Sequence, residues 1–380
     1  MPFDRIHECG CGVGRIGPGP IGMFVERWLA RLPLPFGDAD RDAGYWWRPP
    51  YAWIRRNDTK PDHASGAPPT PRPGQVNQGD RIVEPHRRAH RSVLLLDAEE
   101  GRNAPAESVH NFLTRDGTPP AQLRKLGREE LAAYPAVRIR PSTCVAAYVL
   151  DDGGFRLDLS DGGTAEARRL LLATGLADEL PGPRGIEALW GRSAFHCPYC
   201  HGYECTGKPV AVIGAEPARV RLALQLSRFA ADVVLCTDGE PLDPASRLKL
   251  ESNGVAVRCE AIARLEATGD QLEQIVFESG PPLARDAVFV VNVPRQRSDL
   301  AARLGCASFA DGSVEVNEFG RTSVPGVYAA GDMARRATVP MPLAAVITAA
   351  ASGTVAGAVI DQDLLYVDFD LPNPFAQAKG

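Results

Sequence analysis

The chain has 380 residues, 44% hydrophobic and 23% charged, which is the composition of an ordinary globular protein with enough material for two or three cores. Its net charge of −5, with no long basic run, excludes the usual nucleic-acid-binding surface, and Arg87, Arg88 and Arg91 read as a solvated face. The opening Met1-Pro2-Phe3-Asp4 has no basic region followed by an apolar core, and no membrane span is evident, so a cytoplasmic protein is expected.

Residues 1–87 differ from the rest, holding Trp28, Trp46, Trp47 and Trp53 beside the proline-rich run Ala67 to Gly74, and little regular structure is expected from 33 to 87. From Ser92 the character changes: Val93-Leu94-Leu95-Leu96 predicts a fully buried parallel strand ending at Asp97. Val145 to Leu150 and Phe155 to Leu159, separated by Asp151-Asp152-Gly153-Gly154, predict a hairpin. Arg169 to Ala173 predicts another buried strand, running into Thr174-Gly175. Val210 to Gly214, the helical periodicity of Ala218 to Phe229 and the strand Asp232 to Thr237 together predict a βαβ unit. Strands at Val255 to Arg258, Ile275 to Glu278 and Ala287 to Val291 complete that domain. A last strand at Gly326 to Ala330 then ends at Gly331-Asp332 before a small-residue helix from about Leu343 to Ile360.

Between the hairpin region and the βαβ unit lies Phe195-His196-Cys197-Pro198-Tyr199-Cys200-His201-Gly202-Tyr203-Glu204. Two cysteines at C-x-x-C spacing can close a small disulfide with little backbone movement, and such pairs often have a lowered thiol pKa. His201 and Glu204 are the candidate proton-transfer groups. Three other readings stay open on the motif alone. A zinc site lacks a second C-x-x-C among Cys9, Cys11, Cys144, Cys205, Cys236, Cys259 and Cys306, and no metal is expected. Haem attachment at C-x-x-C-H requires export. Two packed structural cysteines are the plainest reading, and packing is also what is expected of Cys205.

Taken together and in this order, Val93 to Asp97, Asn111 to Gly117, Ala173-Thr174-Gly175, the cysteine motif with its His-Gly-Tyr-Glu continuation, the second nucleotide-binding unit and Val327 to Asp332 resemble the thioredoxin-reductase-like flavin disulfide reductases over about residues 88 to 365. The resemblance implies an α/β fold with two Rossmann-like three-layer nucleotide-binding domains. A flavin domain in two parts, 88–176 and 294–380, would flank a pyridine nucleotide domain, 177–293, behind an irregular segment 1–87. It implies FAD and NAD(P)H as cofactors, a thioredoxin-like protein or a small disulfide or dithiol as partner, and a homodimer. Cys200 would face the flavin, Cys197 would attack the substrate disulfide, and His201 would stand where thioredoxin reductases have their acid. Asp332 matches the aspartate that binds the ribityl chain, next to Gly331, and the helix near Leu343 would point its dipole at the flavin ring. Asp97 fits the acidic residue that holds an adenosine ribose, and Thr174 and Gly175 fall in the flavin-site turn.

Two departures from the family pattern stand out. No glycine loop precedes Val93, and the candidate G-x-G-x-x-G, Gly17, Gly19 and Gly22, lies far upstream of it. The abrupt start of the match near Arg88 leaves open whether residues 1–87 are the natural beginning. In the second unit G-x-G-x-x-A becomes Gly214-Ala215-Glu216-Pro217-Ala218-Arg219, which puts a carboxylate where an anion should sit, and Asp238 suits NAD better than NADP. The sequence therefore implies a flavin-dependent disulfide or dithiol oxidoreductase, possible in either direction. The alternative is a degenerate relative with impaired cofactor binding that acts as a binding or regulatory protein.

Overall fold

The computed structural model describes residues 74–77, 89–99 and 101–374, and for 74–77 the backbone alone. The chain divides into Met1–Pro68 and Pro69–Gly380, and every described residue belongs to the second unit. The tryptophan-rich segment and Gly17, Gly19 and Gly22 lie outside the described residues.

The first half of the fold comprises β1 (Gly74–Asn77), β2 (Val93–Leu96), α1 (Pro120–Ala132), β3 (Val137–Arg140), β4 (Cys144–Val149), β5 (Phe155–Leu159), β6 (Thr164–Ala167) and β7 (Leu170–Leu172). The chain then crosses through β8 (Leu176–Glu179) into the inserted half. That half holds α2 (Ile186–Leu189), β9 (Ala194–Phe195), α3 (Pro198–His201), β10 (Pro209–Ile213), α4 (Pro217–Leu226), β11 (Asp232–Cys236), α5 (Pro244–Glu251) and β12 (Ala256–Arg258), then β13 (Ile262–Thr268), β14 (Gln271–Phe277), β15 (Leu283–Ala284) and β16 (Ala287–Phe289). It returns through β17 (Val293–Gln296) to α6 (Leu300–Arg303), β18 (Val314–Glu315), β19 (Val327–Ala329), β20 (Ala334–Arg335) and the long α7 (Val346–Asp368).

Both halves use the same layering. In the first, a five-stranded parallel sheet of order β19-β7-β1-β2-β3 carries the antiparallel β4-β5-β6 on one face and helices on the other. Alternation along the strands explains this. Leu94, Leu96, Leu170 and Leu172 pack with Phe155, Leu157 and Leu159, while Val93, Leu95, Leu171 and Tyr328 pack with Leu131 of α1 and Ala356, Val359, Ile360 and Leu364 of α7. In the second, the parallel sheet β12-β11-β10-β16-β9 is covered by α4 and α5 on one face and by β13-β14-β15 on the other. Such doubly covered sheets explain why the strands read as unbroken apolar runs. The paired β8 and β17 are the two crossings between the halves.

The structure differs from the sequence expectation at β1. Four residues of the segment expected to be irregular form a strand in the middle of the first sheet, paired in parallel with both β2 and β7. Gly-Gln-Val-Asn has no apolar run to announce it, so the strand is specified by its neighbours' ladders. The closing helix begins at Val346 and runs to Asp368, beyond the expected Ile360. No helix among the described residues is long and apolar enough to cross a membrane.

Candidate active site

The cysteine pair is positioned by the edge strand β9, which runs directly into the single turn α3. Cys197 is its extended N-cap residue, with φ −109° and ψ 116°, and its carbonyl accepts from the amides of both Cys200 and His201 at 3.3 Å. This turn puts the two thiols on one side, three positions apart. Pro198 suits the first helical position, where its missing N–H costs nothing. Gly202 closes the turn, because a Cβ there would come within 2.3 Å of the Pro198 carbonyl oxygen.

Both cysteines are free thiols and half-buried, and they differ in acidity. The Cys200 thiol donates to the Cys197 sulfur, which draws Cys197 down from its ordinary value against the opposing effect of burial. The same hydrogen bond, with burial, drives Cys200 far up. One sulfur is thus prepared as a nucleophile while the other keeps its proton. Cys205 is buried, its thiol donates to the His201 carbonyl at 3.4 Å, and burial pushes it up to about 11, as expected of a packed cysteine.

His201 lies beside the pair but does not join it by a hydrogen bond. Its ring stacks on Phe195 with centroids 4.4 Å apart, and neither ring nitrogen has a partner among the described residues. Burial pushes His201 down to about 4, so the ring is neutral at pH 7. His196, stacked on Trp190 at 5.4 Å, is likewise pushed down to about 4 by burial. Glu204 faces outward to His110, whose Nε2 is 3.4 Å from Glu204 Oε1 and whose Nδ1 is 3.3 Å from Asp116. Next to it, the Asn111 side chain donates to the Tyr199 carbonyl at 2.5 Å, so the Asn111 to Gly117 segment touches the cysteine turn.

On the side of the first half, Arg102 is the residue that sequence reasoning missed. It forms a two-pronged pair with Asp178 of β8, Nε to Oδ2 at 2.9 Å and Nη2 to Oδ1 at 2.6 Å, and its Nη1 reaches Asp332 Oδ2 at 3.0 Å. Asn292 also donates to Asp178 Oδ1, at 2.7 Å. Burial raises the Asp178 carboxyl, but the Arg102 fork and Asn292 outweigh it and hold it below the usual range. A lone arginine in the loop after Asp97 is the only sequence signal of this network.

The other expected cofactor residues fall in three groups. Gly331, at φ 79°, and Asp332 follow β19, and the Gly331 amide donates to Ser352 Oγ of α7 at 3.0 Å. The start of α7 has no side-chain cap and no acidic residue in its first turn, which leaves a bare positive helix end beside this turn. That arrangement fits an electron-rich flavin ring. Asp97 accepts from the Glu99 amide at 2.9 Å and pairs with Arg128 at 3.0 Å, while Thr174 is buried with its hydroxyl on Met333 Sδ at 3.3 Å and Gly175 has φ 66°. Residues 78–88, which follow β1 where the first phosphate loop would start, lie outside the described residues.

The loop after β10 does not fit a dinucleotide. Gly214 is at φ 119°, and a Cβ there would lie 2.5 Å from Glu216 Oε2, so the Glu216 carboxylate is folded onto the glycine. Glu216 is also the N-cap residue of α4 and fills with its own negative charge the place a phosphate needs. Arg219 turns away, donating to the Val290 carbonyl at 2.9 Å. Asp238, at φ 57°, accepts from the Ile262 amide at 2.6 Å and thereby joins the end of β11 to β13. Among the described residues no group of three or more His, Cys, Asp or Glu side chains is arranged to hold a metal.

A family model described as pyridine nucleotide-disulphide oxidoreductase matches residues 85–353. The chain is 31% identical over 290 residues to the thioredoxin reductase tcpT of Claviceps purpurea, covering 73% of this chain and 88% of that protein. Among solved structures it is similar to HlmI, at 34% identity and a TM-score of 0.72, covering 79% of this chain and 94% of that one. It is also similar to a putative thioredoxin reductase TrxB of Bacillus anthracis, at 28% identity and a TM-score of 0.72, covering 78% and 99%. These likenesses agree with the two-domain flavin disulfide reductase fold, and none supports the binding or regulatory alternative.

Proposed function

The chain belongs to the pyridine nucleotide-disulphide oxidoreductase family and is a thioredoxin-reductase-like enzyme, and from that premise we propose that it moves electrons between a flavin and a substrate disulfide or dithiol through Cys197 and Cys200. The observation that carries the reading is the pair of free thiols with opposed acidities at the edge of the second sheet.

In the reducing direction the Cys197 thiolate attacks one sulfur of the substrate disulfide, forming a mixed disulfide and releasing the other sulfur as a thiolate, which takes a proton. Cys200 then loses its proton and attacks Cys197 Sγ, closing the Cys197–Cys200 disulfide and freeing the second substrate thiol. The opposite sequence oxidises a dithiol, and the direction is set by relative potentials. The departing substrate thiolates are basic enough to take the Cys200 proton, and His201, whose ring nitrogens have no partner among the described residues, would relay it beside the pair. Glu204 holds His110 against the turn. FAD, when bound, supplies the two-electron exchange with the cysteine pair. Gly331, Asp332 and the start of α7 would hold its ring side, Thr174 and Gly175 would line the adjoining turn, and Asp97 would meet its adenosine ribose. A pyridine nucleotide at Gly214 and Asp238 is disfavoured by Glu216.

The substrate is a thioredoxin-like protein or a small disulfide or dithiol. A homodimer belongs to the same proposal by the family likeness, and so does the cytoplasmic setting expected from the sequence. The test is the visible absorption spectrum of the purified protein, with the flavin released by heat and identified by chromatography. Stoichiometric FAD is expected. No flavin, even after incubation with added FAD, would sink the reading.

A further inference from the structure

We propose that Asn111 is a positioning residue for the closing step of the dithiol chemistry: reaching out of a loop of the first half, its side-chain amide holds the Tyr199 carbonyl and so fixes the peptide unit that sets Cys200 against Cys197. The inference rests on the function proposed above and concerns the step in which Cys200 attacks Cys197 Sγ.

One rigid peptide unit links the two. Asn111 Nδ2 donates to the Tyr199 carbonyl at 2.5 Å. The other end of that planar unit is the Cys200 amide, which donates to the Cys197 carbonyl at 3.3 Å. Holding the oxygen therefore fixes the plane whose N–H ties the second cysteine to the first. A single helical turn leaves most of its carbonyls without an intrahelical partner, and α3 runs only from Pro198 to His201. The bonds that Cys200 and His201 make to the Cys197 carbonyl are both long, at 3.3 Å, so the turn constrains itself weakly and a grip from outside matters. Closing the pair is an intramolecular displacement, whose rate depends on how well the attacking sulfur is aligned.

The loop that presents Asn111 is built to hold still. Its base is closed by the Val109 amide on the Thr118 carbonyl and the Gly117 amide on the Val109 carbonyl, both at 2.9 Å, and Val109 and Phe112 are buried anchors. Asp116 ties the tip together: its Oδ1 accepts from the Asn111 amide at 3.0 Å, and its Oδ2 lies 3.3 Å from His110 Nδ1. His110 in turn reaches Glu204, with Nε2 3.4 Å from Oε1. The same loop thus meets the cysteine segment at Tyr199, between the thiols, and at Glu204, beyond them. Asn111 itself sits at φ 60°, in the left-handed region that asparagine tolerates better than most residues. Glycine would adopt that backbone without strain but would have no amide to offer.

The test is rapid mixing of the reduced full-length chain with the aromatic disulfide DTNB, quenched in acid and read by mass spectrometry of the peptide that carries the pair, a readout that needs no flavin. Cys197 Sγ attacks DTNB, forming a mixed disulfide and releasing one thionitrobenzoate. Cys200 then attacks Cys197 Sγ, its proton passing to the buffer, which closes the Cys197–Cys200 disulfide and releases the second thionitrobenzoate. Two electrons leave the pair and reduce one DTNB. Asn111→Gly keeps the left-handed backbone and removes only the side-chain amide. It should lower the rate of closure relative to that of mixed-disulfide formation by about fivefold, the size of one hydrogen bond, so that mixed disulfide accumulates. An effect confined to loop stability would move the two steps together, and a ratio of closure to formation that is unchanged or raised overturns the proposal. If Asn111→Gly does not fold, Asp116→Ala carries the test, because Asp116 is 68% exposed and its loss frees the loop tip without touching the cysteine turn. A lowered ratio in that variant supports the proposal, and an unchanged or raised one overturns it. Failure of the parent to close the Cys197–Cys200 disulfide at all would instead remove the underlying function, a result separable from any difference among the variants.

Discussion

Replacing Glu216 with glycine restores the glycine pattern of the second nucleotide loop, and the structure sets the size of the expected effect. The carboxylate is folded within 2.5 Å of where a Gly214 side chain would begin, at the cap of α4. A phosphate approaching that helix end would meet it at about 4 Å, where like charges repel by roughly 1 kcal/mol in a water-like medium and about 4 kcal/mol at an effective dielectric of 20. An intermediate value of about 2 kcal/mol corresponds to roughly 30-fold in Kd. The helix-end attraction of about 0.3–1 kcal/mol, now used by Glu216, would be returned to the ligand as well. Glu216→Gly should therefore tighten NADH binding at least tenfold, measured by calorimetric titration of the flavin-loaded protein. Glu216→Gln should recover the electrostatic share and leave the steric one. A parent protein that binds NADH as tightly as Glu216→Gly would refute the reasoning, because the carboxylate would then be no obstacle.

Two further substitutions probe the site and its support. Cys200→Ser should keep the flavin and trap the mixed disulfide at Cys197 when challenged with a substrate disulfide; full turnover in that variant would refute the assigned order. Asp363 of α7 is 10% exposed and takes both prongs of Arg321 together with the Tyr328 hydroxyl, so Asp363→Ala leaves a buried cation unpaired and should cost about 3–5 kcal/mol in urea unfolding. Burial raises the Asp363 carboxyl, but Arg321 and Tyr328 more than offset it and hold it below its ordinary value. Its contribution is thus present above about pH 4 and is lost as pH falls through the folded value, so parent and variant should converge in acid.

Much of the scaffold could be read locally. Buried parallel strands such as Val93–Leu96 and Val210–Ile213 are apolar on both faces because both faces are covered, and that leaves a continuous apolar run in the chain. The cysteine turn is equally local, since three positions of spacing, a proline and a glycine are enough to build it. The obstruction by Glu216 was visible as a residue type at a patterned position.

What the tertiary structure decided are the pairings between distant segments. β1 has no sequence signature and becomes a strand because two ladders close on it. His201, expected as a proton-transfer group, is neutral because burial against Phe195 shields it from solvent and leaves its ring nitrogens without partners among the described residues, and burial cannot be read from a motif. Arg102 becomes part of the site through carboxylates 76 and 230 positions away. The sequence determined which chemistry the chain carries, because thiols, spacing and strand periodicity are properties of neighbouring residues. The fold decided which charges and rings surround that chemistry, because electrostatic environment depends on distance in space and on exclusion of water, to which chain order is blind.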